Sequence, residues 1–184
     1  MFNPVRNWLL PVLVTVVVAT ALAQTTTEPS KQQVLGAMKR ATQAMEKIST
    51  NGGYVWTYLP DLSRRWGEME ARDTMIWIQP PGTATMGNLF LDAYHATGDE
   101  YYYQAAEKVA AALIWGQLAS GGWNYVVDFA GDRSLRDWYD TVGKNGWRLE
   151  EFQHYWGNGT FDDAGTAESG KFLLRLYVEK RDAK

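Results

Sequence analysis

The chain has 184 residues, one domain at most, and 46% of them are apolar, enough for a sizeable core. Its formal net charge of −3 comes from interspersed acidic and basic residues, so we expect no nucleic-acid partner. The absence of cysteine excludes disulfides and thiolate metal sites. Nine tryptophans and ten tyrosines suit a sugar-binding cleft, because flat aromatic rings pack on sugar faces, although core packing accounts for most such residues.

Residues 1–23 have the pattern of a secretory signal peptide. Arg6 supplies the positive region, Trp8 to Ala19 is the apolar stretch, and Ala21-Leu22-Ala23 offers a cleavage site. The apolar stretch is short for a spanning helix, which needs about 20 residues, and an uncleaved anchor is the alternative. Residues 24–30 follow as a polar tether. We therefore expect a secreted or periplasmic bacterial protein, with no stable membrane insertion after signal cleavage.

The first half of the mature chain contains two predicted helices. Lys31 to Ser49 has apolar residues near 3.6-residue spacing, which predicts an amphipathic helix. Tyr54 to Trp77 is predicted as a loop that carries many charged residues. Gln79-Pro80-Pro81-Gly82 is a rigid turn that leads to Thr83, a candidate N-cap. Thr83 to Thr97 is the second predicted helix.

The second half continues with two more predicted helices. Glu100 to Ser120 should pair antiparallel with the preceding helix, because only Gly98-Asp99 separates them. Trp123 to Phe129 alternates as a short extended segment. Gly131 to Gly159 is irregular, and its aromatic residues favour an ordered functional loop over a disordered one. Thr166 to Lys180 is the last predicted helix.

An internal repeat organises these elements. Thr83 to Tyr94 aligns without gaps on Thr166 to Tyr177, and Gly52 to Trp56 corresponds to Gly121 to Tyr125. Such repeats are typical of stacked helical hairpins. By the repeat, the helix at 166–180 should be followed by an outer helix of its own. We therefore expect residues 31–184 to be the N-terminal part of a longer domain, with completion of the core by a partner as the alternative.

Asp162 and Asp163 are the candidate metal ligands. Adjacent carboxylates supply the oxygen atoms that Ca²⁺ prefers, and the aromatic Phe161 before them favours a cleft. The alternative is an acidic helix start that interacts favourably with the helix dipole. The two histidines, His95 and His154, have no partner at metal-ligand spacing, which argues against zinc. His154 lies among the loop aromatics and is a candidate ligand contact.

Several motifs together resemble the pectic acid lyase family, the family 10 type of polysaccharide lyase. They are Gly52 to Ser63, Gln79 to Thr83, Leu91 to Tyr102, Gly116 to Trp123 and Thr160 to Asp163. The likeness covers nearly the whole mature chain. It implies an all-α fold, in which helical hairpins with long aromatic-rich loops form an incomplete (α/α) toroid.

The resemblance also implies an activity, Ca²⁺-assisted β-elimination on pectate, that is, on polygalacturonate. In that reaction the metal binds the uronate carboxylate and acidifies the C5 proton, which an arginine then removes. The family's arginine is expected beyond Lys184, so no catalytic residue is assigned. After Asp162-Asp163 the chain has Ala164 and Gly165 where the family has polar residues, and this weakens the expected calcium site.

The predicted site therefore consists of a metal pair and a set of substrate contacts. Asp162 and Asp163 are the metal or substrate ligands. The predicted substrate-binding residues are Trp56, Trp123, Tyr125, His154 and Thr166. Two other functions stay open: a non-catalytic uronan-binding helical module, and a toroid glycoside hydrolase with two carboxylates on opposing walls of its cleft.

Overall fold

The computed structural model of the chain describes residues 28–146 and 157–180. Its helices are α1 (Lys31–Ile48), α2 (Thr83–Thr97), α3 (Glu100–Trp115), α4 (Asp132–Trp138), α5 (Lys144–Gly146) and α6 (Gly165–Lys180). A π-helical stretch joins α4 to α5, and a 3-10 turn at Asp162–Ala164 leads into α6. The predicted signal peptide, His154 and most of the tether lie outside the described residues. Within those residues, no helix is both long and apolar enough to cross a membrane.

The strands form two small antiparallel sheets. One consists of β1 (Thr57–Tyr58), β2 (Arg65–Trp66) and β3 (Glu70–Ala71), and in the other β4 (Met75–Trp77) pairs with β5 (Val126–Asp128). The prediction of an all-α toroid of helical hairpins was therefore wrong. The fold combines helices, which hold 58% of the described residues, with sheets of three and two strands.

Four of the five strands were missed because the local sequence carries little signal for them, whereas β5 lies within Trp123 to Phe129, which was predicted as an extended segment. Tyr54 to Trp77, predicted as a loop, contains four strands of only two or three residues each, too short to show an alternating pattern. Two of its charged residues form an ion pair across the first sheet, where the Arg64 guanidinium lies 2.6 Å from the Glu70 carboxylate. All three residues of β4 are buried, and the partner strand β5 lies far along the chain.

The four predicted helices are confirmed to within five residues at each end, but the prediction that Gly131 to Gly159 is irregular was wrong for its first half, which contains α4, the π-helical stretch and α5. Gly98 ends α2 with a left-handed φ of 69°, a conformation that glycine adopts without steric cost. The Asp99 side chain then caps α3 by accepting from the Tyr101 N–H at 3.0 Å. The third helix ends at Trp115, earlier than predicted. Gly82, not Thr83, is the N-cap residue of α2.

Two buried clusters form the core. The larger lies between α2, α3, α6 and the second sheet, and the smaller surrounds Trp77 and Trp138. Helix α6 packs beside α2 in parallel, since Gly87 contacts Phe172 and, further along both helices, Asp92 pairs with Arg175. Phe172 is fully buried, so this contact contributes directly to the larger cluster.

The repeat in the sequence corresponds to a repeated set of hydrogen bonds. The Thr83 hydroxyl accepts from the Tyr54 N–H and donates to the Tyr54 carbonyl, both at 3.1 Å. The Thr166 hydroxyl does the same with the N–H and carbonyl of Trp123, at 3.0 and 3.3 Å. We call each of these pairs a threonine clasp. The two clasps fix the starts of α2 and α6 to the two Gly-Gly-aromatic loops.

Candidate functional site

The candidate site lies at the 3-10 turn that precedes α6. The Tyr125 hydroxyl donates to Asp162 Oδ2 at 2.7 Å, and the Gln79 amide donates to Asp163 Oδ2 at 2.8 Å. Three segments that are distant in sequence therefore meet at the two adjacent carboxylates. Both aspartates are exposed, whereas Tyr125 and Gln79 are buried. The arrangement presents two oriented carboxylates to solvent from a rigid base.

Two tryptophans position Gln79. The Trp77 ring N–H donates to Gln79 Oε1 at 3.0 Å, and the Trp56 ring N–H donates to the Gln79 carbonyl at 2.9 Å. The two indoles themselves pack edge to face, with centroids 5.9 Å apart. Because the amide oxygen is held by Trp77, the amide nitrogen is directed to Asp163. Gln79 is thus an orienting residue of the site.

Sequence reasoning missed Gln79, although the repeat contained a signal for it. The alignment that places Thr83 on Thr166 also places Gln79 on Asp162, and Gly82 on Gly165. If the aligned repeat is extended by four residues toward the N-terminus, Gln79 becomes the counterpart of Asp162, a candidate metal ligand. Both positions now lie at the same site.

The backbone of the turn is strained. Asp163 has φ 48° and ψ 26°, and Ala164 has φ 61°, so two consecutive non-glycine residues adopt left-handed conformations. Each such residue costs on the order of 1–3 kcal/mol and persists only where its surroundings impose it. The Thr160 hydroxyl accepts from the Asp162 N–H at 3.0 Å, and Asp162 Oδ1 accepts from the Asp163 N–H at 3.1 Å. Strain of this kind is concentrated at functional sites.

An exposed aromatic ring adjoins the carboxylates. Phe161 is 83% exposed, the largest exposure among the large apolar side chains of the described residues. A solvent-facing ring next to two acids has no packing role. It presents a flat apolar surface to solvent beside the two carboxylates.

The predicted substrate contacts separate into two groups. Tyr125 donates directly to Asp162, whereas Trp56 donates to the backbone carbonyl of Gln79 and is connected to Asp163 only through that residue. Trp123 is 3% exposed, and its ring N–H donates to the Leu113 carbonyl at 2.7 Å, which places it in the core. The Thr166 hydroxyl is engaged in the second clasp. His154 lies outside the described residues.

The two aspartates fit a hard cation only in part. Both oxygens of Asp162 and one of Asp163 accept a hydrogen bond, and each carboxylate oxygen retains a second lone pair. Ca²⁺ takes six to eight oxygen ligands. Over the described ranges, no group of three or more acidic or histidine side chains is placed to hold a metal. Two carboxylates alone therefore fit such a cation only if its remaining ligands come from water or from a bound ligand.

Comparisons of the chain with protein-family models, with curated proteins and with solved structures found no match. The likeness to pectic acid lyases thus rests on the sequence motifs alone. The activity that it implies is therefore a proposal.

Proposed function

We propose that this chain is an exported uronan-binding component of a Ca²⁺-dependent pectate lyase-like enzyme. The observation that carries the proposal is the meeting of Asp162, Asp163, Tyr125 and Gln79, which orients two exposed carboxylates. Export follows from the signal-peptide pattern of residues 1–23. The substrate class follows from the motif resemblance and from the aromatic surface at Phe161.

In this proposal the carboxylates bind the polymer through a shared cation. An acidic polysaccharide is repelled by bare aspartates, so a divalent cation must lie between the uronate carboxylate and Asp162 and Asp163. When bound, Ca²⁺ would neutralise the uronate and acidify the proton on the adjacent carbon. Tyr125 and Gln79 hold the two aspartates in fixed orientations. Phe161 packs on a sugar face next to the metal.

A second candidate function is a uronan-binding module that does not cleave its ligand. The groups that donate to the two carboxylates are a tyrosine hydroxyl and a neutral amide. Both orient the aspartates, and neither removes a proton at neutral pH. In the lyase proposal the proton acceptor of the elimination is therefore supplied by a group other than these two. If none is supplied, the same site binds pectate without turnover.

Calorimetric titration of the purified chain with oligogalacturonate tests the binding proposal. We expect affinity that requires Ca²⁺ and that falls at least tenfold in Asp163→Asn, since a carboxylate ligand to the cation is replaced by an amide. The matched control is Asp140→Asn, which changes an exposed aspartate elsewhere in the chain and should leave affinity unchanged. Equal affinity with chelator and with Ca²⁺, or an unaffected Asp163→Asn variant, would contradict the proposal.

Product analysis then separates the functions. A lyase generates an unsaturated, ultraviolet-absorbing uronide end and stops when Ca²⁺ is chelated. A glycoside hydrolase releases new reducing ends without ultraviolet absorbance. A binding module shows affinity and neither product. We expect the isolated chain to bind and the lyase product to appear only when the proton acceptor is present.

A further inference from the structure

A cavity lies outside the candidate site, between the end of α3, strand β5 and helix α4. Its volume is about 460 Å³, and its acidic lining residues are Asp128 and Asp132. Most of the rest of the wall is apolar or backbone, with Trp115 and Leu135 as the larger side chains. No lysine, arginine or histidine is among the described residues that line it. Within the described part of the chain, the lining thus supplies two acids and no compensating cationic side chain.

Asp128 is the unusual member of this lining. It is 3% exposed, and its Oδ1 accepts from the Ala130 N–H at 2.9 Å. Its Oδ2 is buried and has no hydrogen-bond partner among the described residues. Burying an ionised carboxylate oxygen without a partner is costly, so native proteins pair such groups or place them on metal ions. The orphaned oxygen therefore indicates a missing partner.

The local chain geometry brings a second carboxylate to the same cavity. Gly131, at φ 92°, lets the backbone turn directly from β5 into α4, whose first residue is Asp132. Asp132 is exposed, so a bound ion at this position is reachable from solvent. Carboxylate, backbone carbonyl and water oxygens are the ligands of hard divalent cations.

We propose that Asp128 and Asp132 bind a hard divalent cation that attaches helix α4 to strand β5. The cation supplies the positive partner of Asp128 Oδ2, and Asp132 and water complete its ligands on the solvent side. This site is distinct from Asp162 and Asp163, and its role is structural. Its presence does not depend on the proposed uronan-binding function.

Native mass spectrometry counts the ions retained per chain and tests the proposal directly. We expect Asp128→Asn to retain one Ca²⁺ ion fewer than the wild type, and the Asp128→Asn, Asp163→Asn double variant to retain one fewer than Asp163→Asn alone, so that the loss is assigned to this cavity and not to the other candidate site. Parallel titrations with Mg²⁺ identify which hard cation the cavity prefers. An unchanged ion count and unchanged affinity in Asp128→Asn for both metals would overturn the proposal.

Thermal unfolding provides a second readout. Ca²⁺ or Mg²⁺ should raise the Tm of the wild type and of Asp140→Asn, whereas Asp128→Asn should lose this increase. In chelator, Asp128→Asn should unfold at a higher temperature than the wild type, because a buried charge has been removed. If Asp128→Asn does not fold, the exposed Asp132→Asn replaces it and should weaken metal binding at least fivefold. Metal affinity identical to wild type in Asp132→Asn would then refute the site.

Discussion

Gly87 and Gly170 occupy the same position of the internal repeat, yet alanine should have opposite effects at the two. A Cβ atom at Gly87 would lie 2.4 and 2.5 Å from the Cζ and Cε2 atoms of Phe172. Ordinary carbon–carbon contacts are about 3.5–4.0 Å, so the ring or the helix must move. At Gly170, on the exposed side of α6, a Cβ atom would meet nothing within 4 Å.

The magnitude follows from two opposing terms. Replacing a helical glycine by alanine gains up to about 1 kcal/mol of stability, and Gly170→Ala should realise most of this gain. Gly87→Ala has the same gain but adds overpacking, which costs about 1–3 kcal/mol in a filled core. Phe172 is 0% exposed and cannot swing into solvent, so we expect a net loss of up to about 2 kcal/mol. Because the helix gain is common to both variants, they should differ by the overpacking cost of about 1–3 kcal/mol.

Urea unfolding of both variants, compared at equal m-values, measures this difference. A third variant, Gly87→Ala with Phe172→Leu, isolates the contact, because the smaller side chain leaves room for the added methyl group. The double variant should be more stable than the sum of the single effects predicts. The reasoning would be refuted if Gly87→Ala stabilised the protein as much as Gly170→Ala does.

Three further outcomes test other parts of the structure. Thr166→Val leaves the Trp123 N–H without its clasp partner and should cost about 1–3 kcal/mol in urea unfolding, whereas an equal cost for Thr166→Ser would exclude the hydroxyl as the cause. Burial raises the pKa of Glu46, but hydrogen bonds from a lysine and a tyrosine outweigh it and lower the pKa below its ordinary value. The stability that Glu46 contributes should be fully present above the ordinary glutamate pKa of about 4.3 and be lost as the pH falls through the lowered value. In Glu46→Gln the free energy of unfolding should therefore decrease less steeply as the pH falls through this range. An unchanged decrease would contradict this. Tyr125→Phe should weaken Ca²⁺-dependent uronan binding several-fold without changing the far-ultraviolet circular dichroism, and full retained affinity would remove Tyr125 from the site.

The sequence predicted the long helices well because they carry many turns of a periodic signal. The boundary between α2 and α3 at Gly98-Asp99 was also predictable, because a left-handed glycine and a capping carboxylate act through contacts within one helical turn. The short strands could not be predicted in the same way. Strand β4 has only three residues, all buried, and it becomes a strand through pairing with β5.

The candidate site was predictable where side-chain type alone decides the role. Asp162 and Asp163 could be proposed as ligands from the sequence because adjacent carboxylates before a helix are recognisable there, and their role stays a prediction. Trp123 and Trp56 both follow a glycine pair and are indistinguishable by residue type. Trp123, however, is buried in the core, where its ring N–H donates to the Leu113 carbonyl. Only the three-dimensional packing distinguishes these two tryptophans. Gln79 became visible as an orienting residue once its contacts with two indoles were known.

The threonine clasps have a consequence for how the chain tolerates insertions. Each clasp fixes the start of a helix from outside the helix, and its two partners are separated by 29 residues in the first repeat and by 43 in the second. The intervening length therefore varies without loss of the anchor. A peptide tag or a reporter domain inserted between the partners of the second clasp, at the exposed turn residue Gly157, should leave the start of α6 in place. The same insertion inside α2 or α6 would shift every later contact around the helix.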